Sequence, residues 1–374
     1  MASDGKSLTT TRIYILASSR VAAAVSLLTL VGLLVGCSRE PEARAKVAPG
    51  TILLSGAGAT FPSILYNRWI VAYHNNNPKV TIEYSPVGSG EGVRRFLAKN
   101  ITAKESVDFG ASDTAMSDAE LVDADNNALM IPVTSGCIVL AYNLPGVEAG
   151  LKLSRRAYAG IFLGEIKQWN DPLIAESNPG VALPNLTIAT AVRLDSSGTT
   201  FAFTKHLDAI NEKWRSQFGS ATLIGWPGNA KRAKGNQGVT GIVANSDGAV
   251  GYVGYEFARK MALSTAALEN KEGRFVKPSA ESCRAALASA ELPENLRVFT
   301  PDPKGAHSYP VVTYTWLLLR KKYKNLETAN AVREFVKWSL HDGQRYAPEA
   351  GYIQLPTTVV EKAQAALNSI HAED

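Results

Sequence analysis

Short apolar runs alternate with amphipathic segments along most of the chain. Residues 80–84 alternate apolar and polar side chains with a period of two, which predicts a strand. Other short apolar runs predict further strands at residues 107–112, 129–133, 137–142, 186–192, 248–254 and 311–319. Helical patterns predict helices at residues 92–100, 154–169, 201–207 and 327–340. This alternation predicts an α/β fold with mostly parallel sheets.

Two sequence patterns predict where helices begin. Glu120 follows Ser117 at the spacing of a capping box, and Glu361 follows Thr358 in the same way. In such a box the hydroxyl and the glutamate side chain satisfy each other's main-chain N–H groups. We therefore expect one helix to begin just after Ser117 and a closing helix at Thr358.

The N-terminal pattern is typical of an export signal. The apolar run of residues 21–35 is too short for a membrane span, which needs about 20 residues. Residues 34–37 resemble the lipobox of bacterial lipoproteins, although an ordinary signal peptide is the alternative. We expect residues 1–36 to be a lipoprotein signal peptide, Cys37 to be lipidated and residues 37–50 to form a polar tether. The protein is then exported and anchored to a membrane, as a periplasmic or cell-surface lipoprotein.

The composition describes an ordinary globular protein. Of the 374 residues, 45% are hydrophobic and 20% are charged. More than 300 residues follow the leader, which is enough for two lobes with separate cores. The net charge of +5 favours anions in general, but the longest run of Lys and Arg is residues 320–322, so no nucleic-acid partner is expected.

Beyond Cys37, the chain contains two cysteines, Cys137 and Cys283. Export permits a disulfide between them, but the sequence cannot establish one. Cys137 lies in an apolar segment and resembles a small buried hydrophobic residue. We expect two free, buried thiols.

Three short loops rich in Gly, Ser and Thr follow predicted strands and precede predicted helices. They span residues 56–61, 88–92 and 193–200. A helix N-terminus presents main-chain N–H groups and the positive end of the helix dipole, which favour an anion. Each loop on its own is explained equally well as a tight turn with a Ser or Thr cap.

Patterns for catalysis and cofactor binding are missing from the sequence. The five histidines are scattered without metal-ligand spacing, and there is no Gly-x-Ser-x-Gly nucleophile elbow. The loop at Gly198 lacks the lysine of a P-loop, and residues 88–92 do not match a dinucleotide-binding motif. We therefore expect a protein that is not an enzyme, with no catalytic residue, metal or cofactor.

The loops do supply donors suited to a tetrahedral oxyanion. Arg193 adds a planar guanidinium that can bind two oxygens of one anion. The other candidate donors are the hydroxyls and main-chain N–H groups of Thr60, Phe61, Ser89, Ser197, Gly198 and Thr199.

Five segments together resemble the phosphate-binding proteins of Pst-type ABC transporters. They are residues 56–62, 108–113, 140–146, 161–170 and 193–199, in the order of that family. The resemblance implies a type II periplasmic-binding-protein fold, with lobe 1 formed by residues 51–135 and 308–374 and lobe 2 by residues 136–307. It also implies crossing strands between the lobes, phosphate in the cleft and a membrane-embedded ABC permease as partner.

The resemblance assigns roles to the candidate residues. Thr60, Phe61, Ser89, Ser197, Gly198 and Thr199 contact phosphate, and Arg193 forms the ion pair. Asp195 orients Arg193, and Asp113 accepts a hydrogen bond from the ligand. Gly90 and Glu91 stand where that family often has a Ser-Gly pair, so we expect no second hydroxyl there and expect Glu91 to face solvent.

Asp113 is the residue that bears on the identity of the anion. Phosphate near neutral pH keeps at least one proton, so a buried carboxylate can accept a hydrogen bond from it, whereas sulfate offers only lone pairs. An N-cap role for Asp113 is the alternative. Two other functions fit the same donors. One is a phosphoester hydrolase, and the other is a binding protein for sulfate or molybdate.

Overall fold

A computed structural model describes residues 50–102, 105–147, 150–288, 290 and 292–373. The predicted signal peptide, Cys37 and nearly all of the tether lie outside these residues. Within the described part, no helix combines the length and apolar character needed to cross a bilayer.

One large sheet organises the described residues. Its strands follow the order β2-β1-β3-β12-β4-β8-β6-β7, with β9 also paired to β4. These strands are β1 Ile52–Gly58, β2 Val80–Pro86, β3 Phe109–Ser112, β4 Ala128–Asn143, β6 Ala189–Arg193, β7 Lys231–Ala233, β8 Ala249–Gly254, β9 Ser264–Thr265 and β12 Val312–Arg320. Short strands form two further ladders: β5 Lys152–Leu153, β10 Ala267–Glu269 and β11 Phe275–Val276, and β13 Lys322–Tyr323 with β14 His371–Ala372.

Helices connect these strands, which confirms the predicted α/β class. They are α1 Ser63–Asn76, α2 Ser89–Phe96, α3 Asp118–Asp123, α4 Arg155–Phe162, α5 Pro172–Ala175, α6 Gly198–Ile210, α7 Glu212–Gln217, α8 Gly235–Ala244, α9 Tyr255–Lys260, α10 Ala280–Ala288, α11 Leu326–Leu340, α12 Ala347–Ala350 and α13 Thr357–Leu367, with a 3₁₀ turn at Asp342–Tyr346.

The sheet is mixed rather than wholly parallel. Strand β1 pairs in parallel with β2 and β3, and β6 pairs in parallel with β7 and β8. The long central strands β4 and β12 run antiparallel to each other and to their other neighbours. The loop-bearing ends of β1, β2 and β6 are the carboxyl ends of parallel strands, where ligands of α/β proteins usually bind.

Strand β4 is continuous where the sequence predicted two strands. Its first part pairs with β12 as far as Cys137 opposite Val312, and from Ile138 onward it pairs with β8. Residues 134–136 are small or polar, so the sequence pattern indicates a turn between two strands at this position. In the fold they are buried, and Gly136 packs closely against the Phe61 ring, so the strand passes through without interruption.

Several predicted helix boundaries are wrong, and helix α2 runs from Ser89 to Phe96 instead of residues 92–100. Helix α4 ends at Phe162 instead of residue 169, because Gly164 adopts a left-handed conformation (φ +73°) that terminates the helix. The capping box at Ser117 is confirmed, since the Ser117 N–H donates to Glu120 Oε2 at 2.8 Å and the Glu120 N–H to Ser117 Oγ at 3.3 Å. The box at Thr358 is not formed, because the last helix already begins at Thr357 after Pro356 and has no side-chain cap.

Cys137 and Cys283 form a disulfide, so the prediction of two free thiols is wrong. Their Cα atoms lie 5.7 Å apart, although 146 residues separate them in the sequence. The bond joins β4 to α10, and both cysteines are buried. The prediction failed because burial in an apolar segment does not reveal that a second cysteine packs alongside.

Candidate functional site

Each of the three Gly-rich loops connects a strand to a helix, as predicted. The first connects β1 to α1, the second β2 to α2 and the third β6 to α6. Ser197 caps α6, because its Oγ accepts the Thr200 N–H at 3.1 Å. Helix α2 begins at Ser89 after Gly88, whose φ of +104° suits glycine.

The loops meet in one place. A Cβ atom added to Gly198 would lie 2.6 Å from Asp113 Cβ and 2.7 Å from Ser89 Oγ, so only glycine fits there. The Gly90 N–H donates to the Ser196 carbonyl at 3.2 Å, and the Asp113 N–H donates to Ser89 Oγ at 3.2 Å. The fold therefore brings the N-termini of α2 and α6 together around a single polar cluster, to which Asn236 links Thr60 of the loop before α1.

Asp113 lies at the centre of this cluster with 1% of its surface exposed. Its Oδ1 accepts a hydrogen bond from Thr315 Oγ1 at 2.8 Å, and Oδ2 accepts a longer one from Thr199 Oγ1 at 3.5 Å. Burial raises the pKa of Asp113 to about 7, while the Thr315 hydrogen bond and the charge of Arg193 act in the opposite direction. The next helix begins after Ser117, so Asp113 is not its N-cap.

Arg193 is buried and is held by Asp195. Its Nε donates to Asp195 Oδ1 at 2.8 Å, and a terminal nitrogen bonds Asp195 Oδ2. The other terminal nitrogen donates to Thr199 Oγ1 at 3.4 Å. A guanidinium has five N–H groups, and these contacts use one on each nitrogen. The fork of Arg193 therefore retains donors on both terminal nitrogens for an anion.

The remaining predicted residues also lie in this cluster. Thr60, Ser89, Ser197 and Thr199 are buried polar residues, and Phe61 is buried with its carbonyl accepting the Tyr352 hydroxyl at 2.6 Å. Burial of so many hydroxyl groups in one place is costly unless each has a partner. The cluster thus has the donor chemistry of an oxyanion site, with one carboxylate acceptor.

Asn236 belongs to the site and was missed by the sequence analysis. It lies in the first turn of α8 and is fully buried. Its side-chain amide donates to Thr60 Oγ1 at 3.0 Å and to Thr199 Oγ1 at 3.2 Å, and its Oδ1 accepts the Gly254 N–H at 2.9 Å. The signal that could have found it is a fourth Gly-rich turn, residues 234–238, directly after β7.

A second buried acid, Glu256, was also missed. It lies in the first turn of α9 and is 2% exposed, and the polar groups beside its carboxyl are the Tyr352 hydroxyl and its own main-chain N–H. Burial and the nearby charge of Asp113 raise the pKa of Glu256 well above its ordinary range.

Glu91 does not simply face solvent. Its carboxylate accepts hydrogen bonds from Arg94 at 2.7 Å and from Arg95 at 2.8 Å, which lower the pKa of Glu91 to about 2. These residues line an open pocket that Ser196 and Lys234 border from the other side. The pocket gives the outer rim of the site a mixed charge.

The histidines form no site of their own. Among the described residues, no group of three or more His, Cys, Asp and Glu side chains is arranged to hold a metal ion. His206, the buried one, contacts the Tyr158 hydroxyl at 2.9 Å and the Pro301 carbonyl. Burial lowers the pKa of His206 to about 4, so it is a neutral structural residue, as expected from the sequence.

Comparison with known proteins places the chain in a class and then in a family. The family model described as PBP superfamily domain matches residues 41–342, so the class is that of periplasmic-binding-protein-like proteins. A high affinity periplasmic phosphate-binding protein (PfluDING) bound with phosphate shares the type II fold, with a TM-score of 0.70 and 24% identity over 84% of this chain and 93% of that one.

The sequence relatives are more specific. The phosphate-binding protein PstS of Pasteurella multocida is 39% identical over 315 residues, which cover 83% of this chain and 89% of the relative. PstS of Methanocaldococcus jannaschii is 35% identical over 371 residues, covering 92% and 93%. The chain therefore belongs to the PstS family of phosphate-binding proteins, which confirms the resemblance seen in the sequence.

Proposed function

We propose that this protein binds inorganic phosphate with high affinity outside the cytoplasmic membrane and delivers it to an ABC-type phosphate permease. The observation that carries the proposal is the pairing, in one buried cluster, of the Arg193 fork with the Asp113 carboxylate. The names of the PstS relatives support the same ligand. As with those relatives, the proposed role is binding rather than catalysis.

In this proposal the phosphate oxygens accept hydrogen bonds from the three loops and from Arg193. Asp195 holds the guanidinium, and Asn236 holds Thr60 and Thr199 in place. The proposed donors are Thr60, Phe61, Ser89, Arg193, Ser197, Gly198 and Thr199.

Asp113 gives the proposed site its selectivity. An ionised, buried carboxylate accepts a hydrogen bond from the O–H group of a protonated phosphate oxygen. Sulfate has no such O–H group, so the carboxylate faces a sulfate oxygen without a hydrogen bond. An unmatched buried acceptor costs about 1–3 kcal/mol, which corresponds to roughly tenfold to more than hundredfold in affinity. This favours phosphate over sulfate, and it argues against molybdate in the same way.

We also propose that two lobes close on the ligand by hinge bending, with lobe 1 formed by residues 51–135 and 308–374 and lobe 2 by residues 136–307. The change of partner along β4, from β12 to β8 next to Cys137, supports a crossing at this position. The site loops come from both sides of that crossing. Closure then brings Arg193 and Asp113 to the same ligand.

Export and anchoring complete the proposal. Residues 1–36 act as a lipoprotein signal peptide, Cys37 carries the lipid and residues 37–50 form the tether, on the basis of the sequence pattern alone. Mass spectrometry of the protein isolated from membranes tests this directly. A mature N-terminus elsewhere than Cys37, or an unmodified Cys37, contradicts it.

Isothermal titration calorimetry of the protein produced without residues 1–36 tests the ligand. We expect tight binding of phosphate and weak binding of sulfate, with phosphate binding lost on Arg193→Ala. Absence of phosphate binding by the wild-type protein refutes the proposal. Turnover of a phosphomonoester that disappears in Arg193→Ala favours the hydrolase instead.

A further inference from the structure

Thr315 contacts the proposed selectivity residue from a strand that the sequence analysis did not connect with the site. It is fully buried in β12, opposite Thr134 of β4. The pairing register of the two strands shifts between Thr315 and Trp316. Such irregularities re-aim side chains and are frequent beside functional sites. Here the side chain of Thr315, next to the register shift, points to Asp113.

The Thr315 hydroxyl has a single proton, and the neighbouring acceptors are the Asp113 carboxylate, the Ser112 carbonyl and the hydroxyl of Tyr66. Asp113 Oδ1 lies at 2.8 Å, whereas the Ser112 carbonyl lies at 3.4 Å. The shorter contact is to the carboxylate, and a charged acceptor forms the stronger hydrogen bond. The Thr315 hydroxyl therefore donates its hydrogen bond to Oδ1 of Asp113.

This hydrogen bond distinguishes the two carboxylate oxygens. Oδ1 faces β12 and is taken by Thr315, while Oδ2 faces Thr199 of the third loop. We propose that Thr315 is a specificity-determining positioning residue, which keeps Asp113 an acceptor and presents Oδ2 to the proton of the bound anion. The inference deepens the proposed phosphate function and rests on it.

The charged surroundings of Asp113 explain why such a partner matters. Burial raises the pKa of Asp113 to about 7, and Thr315 is the foremost of the groups that oppose this rise, ahead of Arg193 and Thr199. A protonated Asp113 is a donor, and sulfate accepts from a donor. Four other titratable groups lie close enough to Asp113 for its charge to raise their pKa: Glu256, Tyr66, Tyr84 and Tyr352.

Thr315→Val keeps the shape of the side chain and removes the hydroxyl. We expect the ratio of sulfate to phosphate dissociation constants to fall about tenfold at pH 7, the effect of losing one hydrogen bond to a charged group. As the pH is lowered, the ratio begins to fall at a higher pH in Thr315→Val than in the wild type. The reason is that Asp113 of the variant, without this hydrogen bond, is protonated more readily. Titration calorimetry with inorganic phosphate and with sulfate from pH 5.5 to 8.5 measures both effects.

Two further variants make the result specific. Thr315→Ser retains the hydroxyl and restores the wild-type ratio and pH profile. Thr134→Val removes the neighbouring buried hydroxyl, which bonds the Ile353 carbonyl at 3.3 Å, and leaves the ratio unchanged. If Thr315→Val does not fold, as judged by circular dichroism, Thr315→Ala replaces it.

The outcomes separate this inference from the proposed function. Wild-type selectivity and pH profile in a folded Thr315→Val or Thr315→Ala protein overturn the inference while phosphate binding stands. Equal weakening of both anions with an unchanged pH profile shows a merely structural role and also overturns it. Failure of the wild-type protein to bind phosphate refutes the proposed function itself.

Discussion

Asn236 donates both its main-chain N–H and its side-chain amide to the hydroxyl oxygen of Thr60, at 3.1 and 3.0 Å. The Thr60 oxygen thus acts as acceptor in both bonds, and its own proton stays available for a ligand. The same amide reaches Thr199, so a single side chain links the first and third loops. Asn236 therefore sets the direction in which Thr60 donates.

From this link we expect Asn236→Ala to weaken phosphate binding about tenfold or more. The variant loses the side-chain hydrogen bonds to Thr60 and Thr199 and leaves the Gly254 N–H without its acceptor. Calorimetry measures the dissociation constant. Asn245→Ala, at the exposed end of the same helix, is the control and keeps wild-type affinity. Equal affinity of both variants contradicts the role given to Asn236.

Asp113→Asn tests the selectivity argument. We expect the ratio of sulfate to phosphate dissociation constants to fall by roughly tenfold to hundredfold at pH 8. The asparagine amide can donate a hydrogen bond to a sulfate oxygen, whereas the carboxylate can only accept one. The preference of the wild-type protein declines as the pH falls through about 7, where Asp113 becomes protonated, and the variant shows no such decline.

A matched control removes a carboxylate charge elsewhere. Asp302 binds the Arg155 guanidinium through both oxygens at 2.8 and 2.9 Å, away from the three loops. We expect Asp302→Asn to leave the preference intact. If both variants change it equally, overall charge rather than the Asp113 contact determines selectivity.

Glu256 predicts how stability depends on pH. Its pKa is raised in the folded state, so its contribution is complete below its ordinary range near pH 4 and is lost as the pH rises. The slope reaches about 1.4 kcal/mol per pH unit for one such group. We expect Glu256→Gln to have a higher melting temperature than the wild type at pH 8 and a similar one near pH 4.

Thermal unfolding followed by circular dichroism at both pH values measures this difference. Glu349→Gln, whose side chain is exposed and pairs with Arg68, serves as the control and keeps the wild-type pH dependence. A parallel pH dependence of Glu256→Gln and the wild type contradicts a raised pKa of Glu256 in the folded protein.

The Cys137–Cys283 disulfide predicts a loss of stability without a loss of binding. The double variant Cys137→Ala/Cys283→Ala is expected to lower the free energy of unfolding by about 2–4 kcal/mol, because the bond no longer restricts the unfolded chain. Urea unfolding measures the difference. Reductant lowers the stability of the wild type but not of the variant, and phosphate affinity stays the same. A variant as stable as the oxidised wild type disproves the contribution.

Local patterns predicted the elements that carry the site. The strand, loop and helix around Thr60, Ser89 and Ser197 follow from turn chemistry and periodicity within a few residues. Helix ends were less well predicted, as α4 shows, because tertiary packing and one left-handed glycine decide where a helix stops. The continuous β4 was missed because small, polar residues in its middle are buried only once its neighbours are in place.

The sequence alone determined the α/β class and the three Gly-rich turns between strands and helices, and its resemblance to a known family supplied the role proposed for Asp113. Only the tertiary structure decided which distant residues support the site. Asn236 and Thr60 are 176 positions apart, and Thr315 and Asp113 are 202 apart. Helix propensity and turn preference act over a few residues. Contacts between distant segments depend instead on the order of strands in the sheet, so no local pattern in the sequence predicts them.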